Sequence, residues 1–197
     1  MNIDEIHRGN LEDILNSVRN AKRVYRDQGA EAILRQPELM PFLLECLYSN
    51  NKTRSIKSAW VLELVCLVEI RLLLPYLSEF TSSLNTLQQE SAIRPVSKIC
   101  SLICQHCNEH SCESEVQDSS WKNNIIEGSF DWLTGKHKIA AQVFAMESLF
   151  LLGQDSHWIL DELYSILDKD YPNRSSGYQS RARKIMDKIS KVKRKKT

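Results

Sequence analysis

Apolar residues recur along most of the chain three, four and seven positions apart, the spacing that places side chains on one face of an α-helix. We find no convincing run of strict apolar and polar alternation, the pattern of a half-buried strand. The segments between the apolar stripes collect Asn, Ser, Gly, Asp and Pro, as expected of turns. The pattern predicts an all-α protein, with stripes such as Leu11, Ile14, Leu15 and Val18; Leu39, Phe42, Leu43 and Leu47; and Ile159, Leu160, Leu163 and Leu167.

A short motif occurs twice in the first half of the chain. The segments 39–45 and 73–79 both read Leu-x-Pro-aromatic-Leu-x-Glu, and a basic and then apolar segment follows each. Proline suits the first turn of a helix, where its missing N–H costs nothing. Four segments of the chain can be aligned on one position, which is occupied by Ala59, Val96, Ala141 and Ala182. In each segment an apolar residue follows three positions later, namely Leu62, Ile99, Phe144 and Ile185.

These equivalences divide the chain into four predicted helix pairs. The first helices are predicted near 38–49, 72–85, 121–133 and 157–168, and the second helices near 54–70, 91–107, 137–152 and 176–191. A further helix at about 10–28 would cover the first pair as a cap. The sequence therefore predicts one domain, with a cap in 1–36, helical repeats in 37–190 and a basic tail in 191–197.

The repeated motif, together with the spacing from Arg54 to Ala59, resembles HEAT-like α-solenoids of the armadillo superfamily over roughly residues 37–190. The resemblance implies a stack of about four antiparallel helix pairs with an N-terminal capping helix and a long surface for binding macromolecules. Two residues depart from the pattern, because Val96 replaces a small residue and Pro95 lies inside a second helix. A plain helical bundle is the alternative architecture.

Composition places the chain among folded proteins, and its charge is uneven. With 197 residues, 42% of them hydrophobic, whole-chain disorder is excluded. Nine of the 26 basic residues but one of the 25 acidic residues lie in 181–196, so residues 1–180 carry about −7 and the rest about +8. We expect the tail to be separable from the core. It is either a solvated helix end or a contact for nucleic acid or another acidic partner, through Lys191, Lys193, Arg194, Lys195 and Lys196.

The most apolar stretch of the chain does not have the pattern of a membrane span. Between Ala59 and Leu77 it contains Glu63 and two further charged residues, and Pro75 interrupts it. Residues 1–5 lack the basic and apolar parts of a signal peptide, so we expect a cytoplasmic protein without membrane contact. In a reducing cytosol the six cysteines are expected to be free thiols.

A cysteine cluster is the sharpest candidate for metal chemistry. Cys100, Cys104 and Cys107 have the spacing of the radical-SAM iron–sulfur triad, but they lie on an apolar helix with no strand before it. Steps of four and three place the sulfurs on one helix face, which is typical of buried small hydrophobes. A zinc site is the weaker alternative, with Cys104, Cys107, His110 and Cys112 as ligands.

Sequence motifs of catalysis are lacking. The chain has no Gly-x-Ser-x-Gly, no phosphate-binding glycine loop and no His-Glu-x-x-His, so we predict neither catalytic nor cofactor-binding residues and no cofactor. Helical lyases of the fumarase–aspartase type share only its composition. Their mobile loop carries Ser-Ser-x-Met-Pro-x-Lys, whereas residues 175–178 read Ser-Ser-Gly-Tyr without the remainder.

Tryptophans leave one alternative to a simple scaffold. An aromatic patch beside a carboxylate is what HEAT-like DNA glycosylases use to hold a damaged nucleotide, and Trp121, Trp132 with Asp131, and Trp158 with Asp161 could form one. The acidic body opposes this hypothesis, because affinity for DNA depends on neutralising phosphates. The sequence favours a non-enzymatic helical-repeat scaffold that binds another macromolecule, and a protein is the favoured partner. The alternative is a HEAT-like nucleic-acid-binding protein or DNA glycosylase.

Overall fold

The computed structural model describes residues 2–110 and 120–196, and throughout these ranges the regular structure is helical, without a strand. This finding confirms the all-α prediction. No helix within the described ranges combines the length and the apolar character needed to cross a membrane. The helices are α1 Ile3–Ser17, α2 Arg23–Arg35, α3 Met40–Leu47, α4 Lys52–Val68, α5 Leu77–Ser82, α6 Glu90–His110, α7 Ser120–Thr134, α8 Ile139–Leu152, α9 His157–Asp170 and α10 Ser176–Lys196.

The predicted single helix at 10–28 is wrong, because α1 and α2 replace it. The chain turns between them, where the Asn20 side-chain oxygen accepts a hydrogen bond from the Lys22 backbone N–H at 2.9 Å. One turn earlier, the Ser17 hydroxyl donates to the Ile14 carbonyl at 2.6 Å. Such short side-chain bonds to the backbone compete with helical hydrogen bonds and favour a turn. The N-terminal region is therefore a helix pair.

Helices α2, α4, α6, α8 and α10 form a row, which we call the even row. Each packs against the next in chain order, from α2 on α4 to α8 on α10. The remaining helices lie beside this row: α1 packs on α3, α3 on α4, α5 on α7, and both α7 and α9 on α8. The core lies between the two sets of helices.

Small residues allow the even helices to approach closely. Ala59, Ala141 and Ala182 are fully enclosed, as expected from their equivalent places in the sequence. Gly29 of α2 serves the same purpose, since a Cβ there would lie 2.8 Å from a methyl group of Val61 and 2.9 Å from one of Val18. Such separations are too short for unstrained carbon atoms.

The helix predicted at 72–85 is largely wrong. A six-residue helix, α5, lies between short 3-10 turns at Ile70–Leu72, Leu74–Tyr76 and Leu84–Thr86. Pro75 cannot donate a helical hydrogen bond. The hydroxyls of Thr81 and Ser82 donate to the carbonyls of Leu77 and Glu79, both at 2.9 Å, and these bonds weaken the helix at its C-terminal end.

Pro95 lies inside α6, yet the helix is continuous. The proline has no N–H to donate to the Ser91 carbonyl four residues earlier. The indole N–H of Trp60, on α4, donates to that oxygen instead, at 3.1 Å. A hydrogen bond from the neighbouring helix thus replaces the missing one within α6.

The C-terminal helix extends further than its charge suggests. The charge pattern predicts separation from the core past Ser190, but α10 continues to Lys196. Val192 packs against the core. The Lys193 ammonium lies 2.5 Å from the carboxylate of Asp161 on α9. One exposed ion pair with α9 and the packing of Val192 therefore connect this end of α10 to the rest of the molecule.

Candidate interaction surface

Glu63 is the centre of a charge cluster on the even row. It projects from α4, and its side chain is 4% exposed. Arg94 and Lys98 of α6 approach the carboxylate at 2.6 and 3.1 Å, and Arg26 of α2 lies 3.9 Å away. Burial of a carboxylate is costly unless cations and hydrogen bonds compensate it. Three cations around one carboxylate supply that compensation and leave an excess of positive charge.

A second carboxylate repeats the arrangement further along the row. Glu147 of α8 accepts hydrogen bonds from the Arg181 guanidinium of α10 at 2.8 Å and from the Ser101 hydroxyl of α6 at 3.3 Å. Ser101 lies one helical turn beyond Lys98 on α6, so the two clusters adjoin. One polar cluster therefore joins α2, α4 and α6, the other joins α6, α8 and α10, and the two lie next to each other on α6.

Aromatic groups border these two clusters. Trp60 is half-buried one turn before Glu63 on α4. On α10 the Lys188 ammonium lies 5.3 Å from the ring centre of Phe150 on α8. We call the whole set the even-row surface: Arg26, Trp60, Glu63, Arg94, Lys98, Ser101, Glu147, Phe150, Arg181 and Lys188.

Acid and base occupy different depths in the even-row surface. The side chains of Arg94 and Lys98 are 33% and 25% exposed, against 4% for Glu63. Arg181 is 39% exposed, against 20% for Glu147. The carboxylates lie beneath the cations, so the groups that an approaching molecule meets are positively charged.

Glu90, at the start of α6, contacts the two residues that precede α8. It lies 2.6 Å from Nδ1 of His137 and accepts the Lys138 backbone N–H at 3.0 Å. Partial burial raises the pKa of the Glu90 carboxyl, but these hydrogen bonds outweigh it and hold the pKa below its usual value. The ionised carboxylate therefore stabilises this junction.

The cysteine helix is packed rather than chemically exposed. Cys100 and Cys104 are buried, and burial raises the pKa of both thiols, that of Cys104 to about 12. A thiol with such a pKa is protonated and unreactive at neutral pH. This environment agrees with the prediction of buried small hydrophobes for Cys100 and Cys104.

Cys107 corrects the expectation of six free thiols, since it is disulfide-bonded. It lies one turn beyond Cys104, near the end of α6, where the side chain is half-buried against the core. A disulfide sulfur cannot act as a thiolate ligand of zinc. His110 is exposed at the helix end, and Cys112 lies outside the described residues. Among the residues that are described, no three His, Cys, Asp or Glu side chains gather as a metal site.

The tryptophans do not form the predicted aromatic patch. Trp121 and Trp132 are each 3% exposed and belong to the core. Trp158 alone of the three is exposed, stacked on Phe130 with ring centres 6.1 Å apart. Asp161 is paired with a lysine of α10. Trp121 and Trp158 line one cavity without Trp132, Asp131 or Asp161, so the predicted set of aromatic and acidic residues is not assembled at one site.

A cavity of about 270 Å³ lies where the ends of α6 and α8 meet the beginnings of α7 and α9. Cys104, Lys122, Asp155 and Trp158 are among its lining residues. This volume is just below the usual range for small-molecule sites, which begins at about 300 Å³. Sequence reasoning did not find the cavity, because its walls come from four different helices.

The predicted nucleic-acid contacts lie along the last turns of α10. Lys191, Lys193 and Arg194 are exposed or half-exposed, and Lys193 is also paired with Asp161 of α9. Lys195 and Lys196 follow on the same helix.

No protein-family model matches this chain, and neither a curated protein nor a solved structure matches it.

Proposed function

We propose that this chain is a non-enzymatic helical-repeat scaffold that binds another protein over the even-row surface. The observation that supports it best is the pair of polar clusters that lie next to each other on α6 and together involve α2, α4, α6, α8 and α10. Helices that pack in chain order present their exposed side chains as one extended surface, and repeat proteins of the solenoid class bind partners on such surfaces. We propose the HEAT-like solenoid as the architecture on the same grounds.

Nucleic-acid binding through the end of α10 is the second candidate. The observation that favours it is the helical continuation of the basic residues to Lys196, which orders several cations along one element. It is the weaker candidate because the pairing of Lys193 with Asp161 uses one of these charges internally. The two buried tryptophans give no support to base excision.

Site-specific photo-crosslinking in the native cell tests the proposal. A photoreactive amino acid replaces Leu67 or Gln105, which are exposed and continue the helix faces of Glu63 and Lys98. Matched controls replace Glu79 on α5 and Glu127 on α7, which are also exposed. We expect discrete protein adducts at the first two positions, unchanged by nuclease, and far weaker ones at the controls. Equal adducts at all four positions, or adducts that nuclease removes, contradict the proposal.

A further inference from the structure

We propose that the even-row surface recognises an acidic, extended segment of a partner protein, whose carboxylates bind the cations that lie above Glu63 and Glu147. This inference rests on the proposed function and specifies the chemistry of the partner.

The depth of the charges is the first argument. An incoming group meets Arg94, Lys98 and Arg181 before it meets either carboxylate, because these cations are the more exposed members of their ion pairs. Each carboxylate fixes the side-chain geometry of its cations from below. Preorganised cations lose less conformational freedom when a ligand binds than free surface lysines do.

Charge imbalance is the second argument. Around Glu63 three cations face one carboxylate, and across the even-row surface Arg26, Arg94, Lys98, Arg181 and Lys188 face Glu63 and Glu147. Arg26, Arg94 and Lys98 belong to residues 1–180, which carry about −7 as a whole, whereas Arg181 and Lys188 belong to the basic C-terminal segment, which carries about +8. The named residues of the even-row surface thus carry more positive than negative charge, and such an excess steers a ligand of negative charge to that surface.

An incompletely satisfied donor adds to this imbalance. The Nε–H of Arg26 is buried and has no hydrogen-bond acceptor among the described residues. Its guanidinium lies 3.9 Å from the nearest Glu63 oxygen, longer than a hydrogen bond. A carboxylate placed over Arg26 and Arg94 would draw the guanidinium outward and give it the acceptors it lacks.

Dimensions favour a peptide segment over a polynucleotide. Five helices about 9 Å apart span roughly 36 Å, which corresponds to about 11 residues of extended chain. The cations form one group around Glu63 and a second at Glu147, and these two carboxylates would repel a ligand that is negatively charged along its whole length. A peptide can place neutral or apolar side chains against Trp60 and Phe150 and carboxylates against the cations. A nucleic acid carries a phosphate at every nucleotide and has no such freedom.

A random library of 12-residue peptides provides the test. We expect the peptides selected by the full chain to be enriched in Asp and Glu. The triple variant Lys98→Gln, Arg181→Gln, Lys188→Gln should weaken binding of a selected peptide at least tenfold. It leaves Glu63 with Arg94 and Arg26, which protects the fold. The control variant Arg8→Gln, Arg35→Gln, Lys136→Gln removes the same charge from positions elsewhere on the molecule and should change binding less than twofold. Circular dichroism checks that both variants are folded.

Four outcomes overturn the inference. Selected peptides without acidic enrichment, whose binding still depends on the even-row surface, would refute the acidic partner and leave the scaffold proposal standing. Equal losses of peptide affinity in both triple variants would show that binding depends on the net charge of the protein and not on the even-row surface. A 12-nucleotide single-stranded DNA that binds more tightly than any selected peptide, and loses this binding in the first variant, would replace the peptide by nucleic acid. Failure to select any peptide rejects a linear segment, and the crosslinking experiment then decides separately whether the surface binds protein.

Discussion

The two sets of helices differ most in the first half of the chain. The even-row helices α4 and α6 have 17 and 21 residues, whereas α3 and α5 beside them have 8 and 6. Their ion pairs differ as well: Glu63 on α4 is enclosed by cations from two neighbouring helices, whereas Arg8 and Glu45, joining α1 and α3, are about half exposed. In α4 and α6, helix length and the enclosed charges of Glu63 and its cations coincide. The two shortest helices, α3 and α5, contribute no residue to the clusters around Glu63 and Glu147.

The largest expected effect is the removal of the enclosed carboxylate. Glu63→Ala leaves three cations facing one another in a partly dry site. We expect the free energy of unfolding to fall by about 3 kcal/mol, the lower end for a buried pair, since the cations keep some access to water. Glu45→Ala is the matched change in the other set and should leave the unfolding midpoint unchanged within error. Urea denaturation measures the free energy of unfolding of both variants. Similar losses in the two would show that the enclosed and the exposed ion pair contribute equally to stability.

Two glycines test whether close packing is confined to the even row. Gly29→Ala adds a methyl group where Val18 and Val61 leave no space. We expect a loss of about 1–2 kcal/mol, since overpacking outweighs the gain in helix propensity. Gly9→Ala on α1 meets nothing within 4 Å and should stabilise by about 0.5–1 kcal/mol. Thermal unfolding gives the two signs directly, and a stabilising Gly29→Ala would show that α2 can move away from α4.

The hydrogen bond from Trp60 to the Ser91 carbonyl is suited to a double-mutant cycle. Trp60→Phe keeps an aromatic ring and removes the donor, at an expected cost of about 1 kcal/mol. In a Pro95→Ala background, residue 95 regains an N–H for the same carbonyl, so the cost of Trp60→Phe should fall by about half. Chemical denaturation of the four proteins measures the coupling. Strict additivity would mean that the indole contributes by packing alone.

The smallest expected effect concerns Glu90 and pH. Its folded-state pKa lies below the usual value of 4.5, so ionised Glu90 stabilises the fold above that pH and loses this effect as the pH falls through the folded value. We expect Glu90→Gln to destabilise by less than about 1 kcal/mol at pH 7. Once the pH is below the folded-state pKa, the variant and the parent should converge. A difference that stays constant from pH 7 to pH 3 would rule out this linkage.

Much of the helical content could be predicted from apolar periodicity. The second helix of each pair was predicted within a few residues, as α4 and α8 illustrate, because a long amphipathic pattern overrides isolated breakers such as Pro95. The errors occur where side-chain hydrogen bonds to the backbone determine where a helix ends. Asn20 ends a pattern that periodicity would continue, and Thr81 with Ser82 breaks the helix that the repeat motif predicts.

The charge clusters were beyond sequence reasoning in one respect. Glu63 stood out as a charge inside the most apolar stretch, and a buried carboxylate must find cations. Which cations it finds depends on how α2 and α6 pack against α4, and no spacing within one helix encodes that. The prediction of an aromatic patch failed for a related reason. The sequence positions of Trp121 and Trp132 fit a buried core as well as an exposed surface, and only the packing of neighbouring helices shows that both are buried.

The position of Glu63 also has a consequence for how the protein folds. A stack of helix pairs can in general grow one unit at a time, since each unit contacts only its neighbours. Here α4 cannot be buried by α2 alone, because Arg26 is the more distant of the cations and the closest partners, Arg94 and Lys98, come from α6. The carboxylate must therefore stay hydrated until α6 has been synthesised and has docked. We expect α2, α4 and α6 to form a single cooperative unit, so a chain that stops after Val68 should remain unfolded.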